Sequence, residues 1–190
     1  MILFFDGVSS SGYIAIYSND RKLIHSERFS MAGNESSKSL SIISTFLNSK
    51  NIEFRDVQEI LCVNGPGSFT GIRTISLVIN TISFMYPHIT LTPISIFDLY
   101  GDLYPLVFPS SKRDLFVKYE KGAIIEVVKN EDFESKTFDN LLIYGDLDIS
   151  RFKARYILDS NRDYDSFVQY VVIQNMKRIA PLYMKKPTIS

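Results

Sequence analysis

Two stretches of this chain combine residue types and spacing suited to chemistry. The first is Asp6-Gly7-Val8-Ser9-Ser10-Ser11-Gly12, a carboxylate followed by hydroxyls and unhindered amides of the kind that contact phosphate. It reads equally as an ordinary Ser/Gly connection between strands. The second is Asn64-Gly65-Pro66-Gly67-Ser68-Phe69-Thr70-Gly71-Ile72-Arg73. Ser68 or Thr70 can accept hydrogen bonds from the unpaired amides of a helix's first turn. Free amides there, with glycines that let a ligand or another chain approach, can make an anion site. A tight strand-to-helix connection with no ligand fits the same residues. No Gly-Lys-Ser/Thr follows, so the run is not a Walker loop, and it lacks the Gly-x-Gly-x-x-Gly spacing. Gly67-Ser68-Phe69-Thr70-Gly71 has its serine one place early for a nucleophile elbow. His25 and His88 are the only histidines, far apart and without a ligand-like neighbour at i+4. Neither a metal site nor a Ser/His/Asp or Cys/His centre is expected from them.

The elements that must position these stretches follow from hydrophobic periodicity. Residues 2–30 read as strand, turn, strand, turn, strand: Ile2 to Phe5, Tyr13 to Tyr17 and Leu23 to Phe29. A helix from about Glu35 to Asn48, a strand Ile60–Val63, a long helix after Thr70 and a strand Ile89–Ile94 complete an α/β unit. Residues 95–160 carry shorter runs, Pro105 and Pro109, and a hairpin whose arms, Arg113 to Tyr119 and Ala123 to Val128, flank Glu120-Lys121-Gly122. A last helix is expected from Asp165 to Pro181, with Val168, Val172, Met176 and Ile179 on one face and Lys177-Arg178 at its C-terminal end. The expected organisation is therefore a first lobe over 1–95, completed by a C-terminal helix over 165–180, and a second lobe over 96–164.

Both first-lobe helices carry two distinctive faces. At 100° per residue, Ile72, Ile75, Val78, Ile79, Ile82 and Met85 form a stripe wide enough to cover a sheet. Arg73, Leu77, Asn80 and Phe84 follow i, i+4, i+7, i+11 and make a second stripe. In the preceding helix Leu40, Ile43 and Leu47 give a core stripe, while Ser37, Ser41, Ser44 and Asn48 line up as a small, uncharged seam. Solvated helix faces usually carry Lys and Glu; a serine seam suits close approach of another backbone. This chain's own second lobe or C-terminal helix could cover these second stripes. The favoured expectation is a helical bundle formed with another subunit.

With 190 residues, 45% of them hydrophobic, the chain can bury a real core. Lys+Arg and Asp+Glu are each 21, a formal net charge of +0, and no basic stripe of the kind that grips nucleic acid stands out. The small clusters Lys112-Arg113, Lys177-Arg178 and Lys185-Lys186 read as solvated surface. The one cysteine, Cys62, lies in an apolar strand, excludes an internal disulfide and fits a reducing cytosol. No signal-peptide pattern and no apolar run of about 20 residues is present, so a cytoplasmic location is expected.

Gly65-Pro66-Gly67-Ser68-Phe69-Thr70-Gly71-Ile72-Arg73, followed by an apolar helix, resembles the signature of the TsaB (YeaZ) family. That family is the dimerization subunit of the bacterial complex that makes threonylcarbamoyladenosine in tRNA. The start Met1-Ile2-Leu3-Phe4-Phe5-Asp6, a helix near 35–48 and the strand before Gly65 fall at the family's spacing, so the resemblance covers roughly the first half well and the second half loosely. It implies an α/β, actin-like ATPase (ASKHA, RNase H-like) fold with a complete first lobe and a reduced second lobe. It also implies a non-catalytic subunit that binds the catalytic TsaD and, through the pair, the ATPase TsaE. Threonylcarbamoyl transfer to the N6 of the adenosine next to the anticodon would occur on TsaD, with tRNA reached only indirectly and no cofactor held here. Pairing in the family runs through the first-lobe helices, with a second copy or competitively with TsaD, which points to Ser37, Ser41, Ser44, Arg73, Leu77, Asn80 and Phe84. In actin-like ATPases a carboxylate ending the first strand and the loop after it hold Mg-phosphate, which makes Asp6, Gly7 and Ser10 a vestigial nucleotide loop. The alternative is a small ATPase or phosphotransferase using Asp6. Gly145-Asp146 is the one isolated candidate for a second phosphate loop. Three positions depart from the family: Asp6-Gly7-Val8 replaces Asp-Thr-Ser, Glu35 stands where a histidine is frequent, and no Asp-Ala-Arg is recognisable near Ser110-Ser111-Lys112-Arg113.

Overall fold

The computed structural model describes residues 1–9, 11–31, 38–100, 104–143, 150, 152–159 and 164–184. The chain divides into two units, Met1–Ile96 with Asp165–Leu182, and Phe97–Tyr164 with Tyr183–Ser190.

The first unit holds β1 (Ile2–Asp6), β2 (Ser11–Tyr17), β3 (Leu23–Ser30), β4 (Glu59–Gly65) and β5 (Thr90–Ser95) in the order β3-β2-β1-β4-β5. The first three strands pair antiparallel as a meander; β4 and β5 add to β1 in parallel. All five residues of β1 are buried because both faces of the central strand are covered, as the continuous apolar run demands. Period-two alternation divides the load. Leu3, Phe5, Ile14, Ile16, Ile60 and Cys62 share one core with α1 (Ser39–Ser49) and α2 (Phe69–Met85). Phe4 and Tyr17 serve the opposite face. There the Phe167 ring of α4 (Tyr164–Tyr170) meets Phe4 edge to face at 6.4 Å, and Tyr17 Oη donates to Asp165 Oδ1 at 2.6 Å.

Three expectations about the helices are corrected. The described part of the first helix begins at Ser39, and Leu40 is 47% exposed rather than core. The buried stripe is Ser39, Ile43, Phe46 and Leu47, the i, i+4, i+7, i+8 pattern, rotated away from Leu40. In α2 the stripe Ile72, Ile75, Ile79 and Ile82 is buried as expected, joined by Ser76 and Ser83. Met85, by contrast, is 65% exposed, because it is the last helical residue and the chain turns away at Tyr86. The expected helix over 165–180 ends at Tyr170. β-Branched Val171, Val172 and Ile173 then favour extended backbone, and the chain takes its hydrogen bonds from the sheet edge instead. Met176 and Leu91 exchange backbone bonds at 2.8 and 2.9 Å, and Gln174 N donates to Thr92 Oγ1 at 2.9 Å. Val172 consequently faces solvent, while Ile179 returns to the core. We call this segment, 171–182, the strap.

The second unit holds β6 (Leu106–Pro109), β7 (Asp114–Lys118), β8 (Glu126–Lys129), β9 (Thr137–Ile143) and β10 (Lys153–Asp159) in the order β10-β9-β6-β7-β8. β7 and β8 form the expected hairpin, its turn passing through Gly122 at φ +80. The short α3 (Asn130–Glu134) delivers Phe133 to a small core with Val107, Leu115 and Val117.

Candidate functional site

The glycine-rich run leads from β4 into α2, and Gly65 and Gly67 each have a local cause. Gly65 sits at φ +135, a conformation that side-chain-bearing residues rarely adopt. A Cβ there would also stand 3.0 Å from the Leu182 carbonyl oxygen of the strap. At Gly67 a Cβ would stand 2.5 Å from Val8 Cγ1, so this glycine admits the loop after β1. Pro66 follows Gly65 in a cis linkage. Ser68 is the N-cap of α2: its Oγ accepts from Gly71 N at 3.1 Å and its carbonyl from Ile72 N at 3.0 Å. Thr70 is exposed and its carbonyl accepts from Thr74 Oγ1 at 2.9 Å. The Arg73 guanidinium lies over the Phe69 ring, 5.3 Å from its centre. The run is thus occupied by this chain's own groups, with a hydroxyl already seated at the helix start.

Asp6 is buried and committed in the same way. Its Oδ1 accepts from Val8 N at 3.0 Å and Ser9 N at 3.3 Å, and Ser9 Oγ lies 3.0 Å from Oδ2. The carboxylate closes its own loop, and Val8 fills the space over Gly67. Gly7 has no room for a side chain against the Phe5 ring; Ser10 and Gly145-Asp146 lie outside the described residues. Cys62 is wholly buried behind this loop, and burial, with the Asp6 charge nearby, pushes its thiol well above the ordinary range. No group of three or more His, Cys, Asp or Glu able to hold a metal occurs among the described residues. No helix among them is long and apolar enough to cross a membrane.

The second stripe of α2 divides on inspection. Leu77 is 67% exposed and Phe84 85%, with Arg73 and Met85 also open to solvent. On α1, Ser41 is exposed and Ser44 partly covered; Ser37 lies outside the described residues. Asn80 belongs to a different arrangement. Its Nδ2 donates to the Ile179 carbonyl at 3.0 Å and its Oδ1 accepts from Ile179 N at 2.9 Å. Asn80, expected at a partner interface, has its amide engaged by the strap of its own chain. Asn64 does the same one element earlier. Its Nδ2 donates to the Ala180 carbonyl at 2.7 Å, while its own carbonyl accepts from Leu182 N at 2.9 Å. Sequence reading missed Asn64, Ile179 and Leu182. The only available signal was two asparagines at otherwise apolar or turn positions.

No family model matches the chain, and no curated protein does. Solved structures do. The chain is similar to YeaZ from Pseudomonas aeruginosa, with a TM-score of 0.65 and 14% identity over 88% of this chain and 87% of that one. It is similar in the same way to an uncharacterized protein resembling peptidase YEAZ from Pseudomonas aeruginosa, with a TM-score of 0.64, 14% identity and the same coverage. These likenesses establish the fold, which is the actin-like ATPase fold as YeaZ carries it.

Proposed function

We propose that this chain is a TsaB (YeaZ)-type subunit that works by binding rather than by catalysis. Its partner would be a TsaD-type catalytic subunit, which performs threonylcarbamoyl transfer to the N6 of the tRNA adenosine beside the anticodon. A TsaE-type ATPase joins through that pair, tRNA is met only through the partner, and the chain pairs with a second copy when alone. The cytoplasm is where such a complex works.

The observation that carries this reading is the outer face of α2. Leu77, Phe84 and Met85 stand in solvent on a helix whose inner face is already fully used by the sheet. Clustered large apolar residues without a cover mark a protein-binding surface. The YeaZ fold over most of the chain and the glycine-rich signature support the family. The inward-turned Asp6 carboxylate argues against the rival ATPase or phosphotransferase.

Co-purification with the TsaD-type subunit of the same organism, sized by light scattering, tests the proposal. A stoichiometric heterodimer that disappears in Leu77→Asp, with the variant still folded, is the expected result. Absence of association, together with saturable ATP binding abolished by Asp6→Ala, would overturn it.

A further inference from the structure

We infer that Asn80 is a positioning residue: by clamping the strap to α2 it preforms the surface on which the partner docks. The inference rests on the binding function proposed above. At 100° per residue, Leu77, Asn80 and Phe84 fall within about 60° of one another around α2, and Asn80 lies between the other two along the axis. The Ile179 backbone, held to the Asn80 amide by two bonds, therefore lies on the very face that exposes Leu77 and Phe84. A partner packing on both residues must also meet the strap.

The clamp is reciprocal, and it does not stand alone. A primary amide presents an N–H donor beside a carbonyl acceptor, and Asn80 uses both on the Ile179 backbone, so it fixes both the height and the direction of the strap. Asn64 adds a second tie one step along, its side-chain Nδ2 donating to the Ala180 carbonyl and its backbone carbonyl accepting from Leu182 N, and Gly65 leaves the room that Leu182 needs. Ile179 itself is buried in the core beneath, so the strap is pinned from inside and from the side. On either side of Ile179, Arg178 and Ala180 are exposed. A segment that is already ordered loses no conformational freedom when a partner arrives; a loose one would have to be ordered at that moment.

Affinity for the TsaD-type subunit, measured well below the unfolding temperature, separates this role from simple stability. Asn80→Ala should weaken binding about tenfold, the equivalent of one net hydrogen bond, and should speed exchange of the Ile179 amide hydrogen. Asn80→Asp gives a pH profile that a merely structural residue would not. A protonated carboxyl offers an O–H donor and a C=O acceptor like the amide, whereas the ionised form cannot donate to the Ile179 carbonyl. The charged residues of these two elements are Arg73 on α2 and Lys177 and Arg178 on the strap. Relative to the native chain at each pH, the Asp variant should bind nearly normally when acidic and lose affinity as its carboxyl ionises. If Leu77→Asp abolishes binding while Asn80→Ala binds at native strength, or the Asp variant follows the native profile, the positioning role is wrong. Should Leu77→Asp itself bind normally, the docking surface beneath both ideas is wrong.

Discussion

Thr92 Oγ1 lies 2.7 Å from Glu59 Oε1 and donates to it across the buried junction of β5 and β4, while the same hydroxyl oxygen accepts from Gln174 N of the strap. Burial raises the Glu59 carboxyl above the ordinary range; the Thr92 bond and the Arg21 charge act in the opposite sense but less strongly. The native state therefore holds this proton more tightly than the unfolded chain does. Stability from this group is greatest below the ordinary carboxylate pKa and falls as pH rises through the raised native value. Glu59→Gln keeps an acceptor for Thr92 and removes the titration. Urea midpoints measured from pH 4 to 8 should show the variant gaining on the native chain as pH rises, by about 1.4 kcal/mol per unit of raised pKa. A constant difference across that range would refute the assignment.

Leu77→Asp and Phe84→Asp alter side chains that touch little of their own chain. Their effect on unfolding free energy should stay within about 0.5 kcal/mol. Ile79→Ala, two residues beyond Leu77 but wholly buried, should lose about 2–5 kcal/mol. Chemical denaturation of the three variants side by side checks this. Comparable losses in all three would mean that the outer face is core.

Gly65→Ala places a methyl group at 3.0 Å from the Leu182 carbonyl oxygen on backbone at φ +135. A cost of about 1–3 kcal/mol follows from the backbone conformation alone. Hydrogen exchange should accelerate first at Leu182, whose amide donates to Asn64, and only later within β4.

Asp6→Asn retains an oxygen for the Val8 and Ser9 amides, whereas Asp6→Ala leaves those donors without their acceptor. The alanine variant should lose about 1–3 kcal/mol and the asparagine variant distinctly less. Calorimetric titration of the native chain with MgATP should give no saturable heat. A site of micromolar strength that vanishes in Asp6→Asn would restore the enzymatic reading.

The first unit was readable from sequence because its signals are local. β1 and β4 are apolar runs between turns, α2 has a sheet-covering stripe, and Ser68 is a cap followed by its helix. The strap was not readable for the opposite reason. Val168, Val172, Met176 and Ile179 have helical spacing, yet the partners that decide the matter, Leu91, Thr92, Asn80 and Asn64, lie 82 to 116 residues away wherever a side chain makes the bond. The tie from Asn80 to Ile179 was equally hidden, because an amide on a helix does not reveal which backbone it will bind. At Asp6 a carboxylate before a Ser/Gly loop serves either purpose in sequence, and its bonds to Val8 and Ser9 could not be read there. Leu40 and Met85 fell at helix ends, where one step of rotation or one residue of length moves a side chain from core to solvent.

The strap also sets a timetable for synthesis. The first unit is discontinuous in sequence, so its sheet can form once residue 96 has emerged from the ribosome, but Phe4 and Tyr17 lack α4 until residue 170 has followed. The pins at Asn80 and Asn64 wait for Ile179 and Leu182. Closing contacts of such long sequence separation is slow, and one apolar sheet face stays open while residues 97–164 are translated. A nascent chain stalled before the strap should accordingly be held by chaperones and be sensitive to protease within β1 and β2. One stalled after residue 182 has cleared the exit tunnel should be resistant at the same sites.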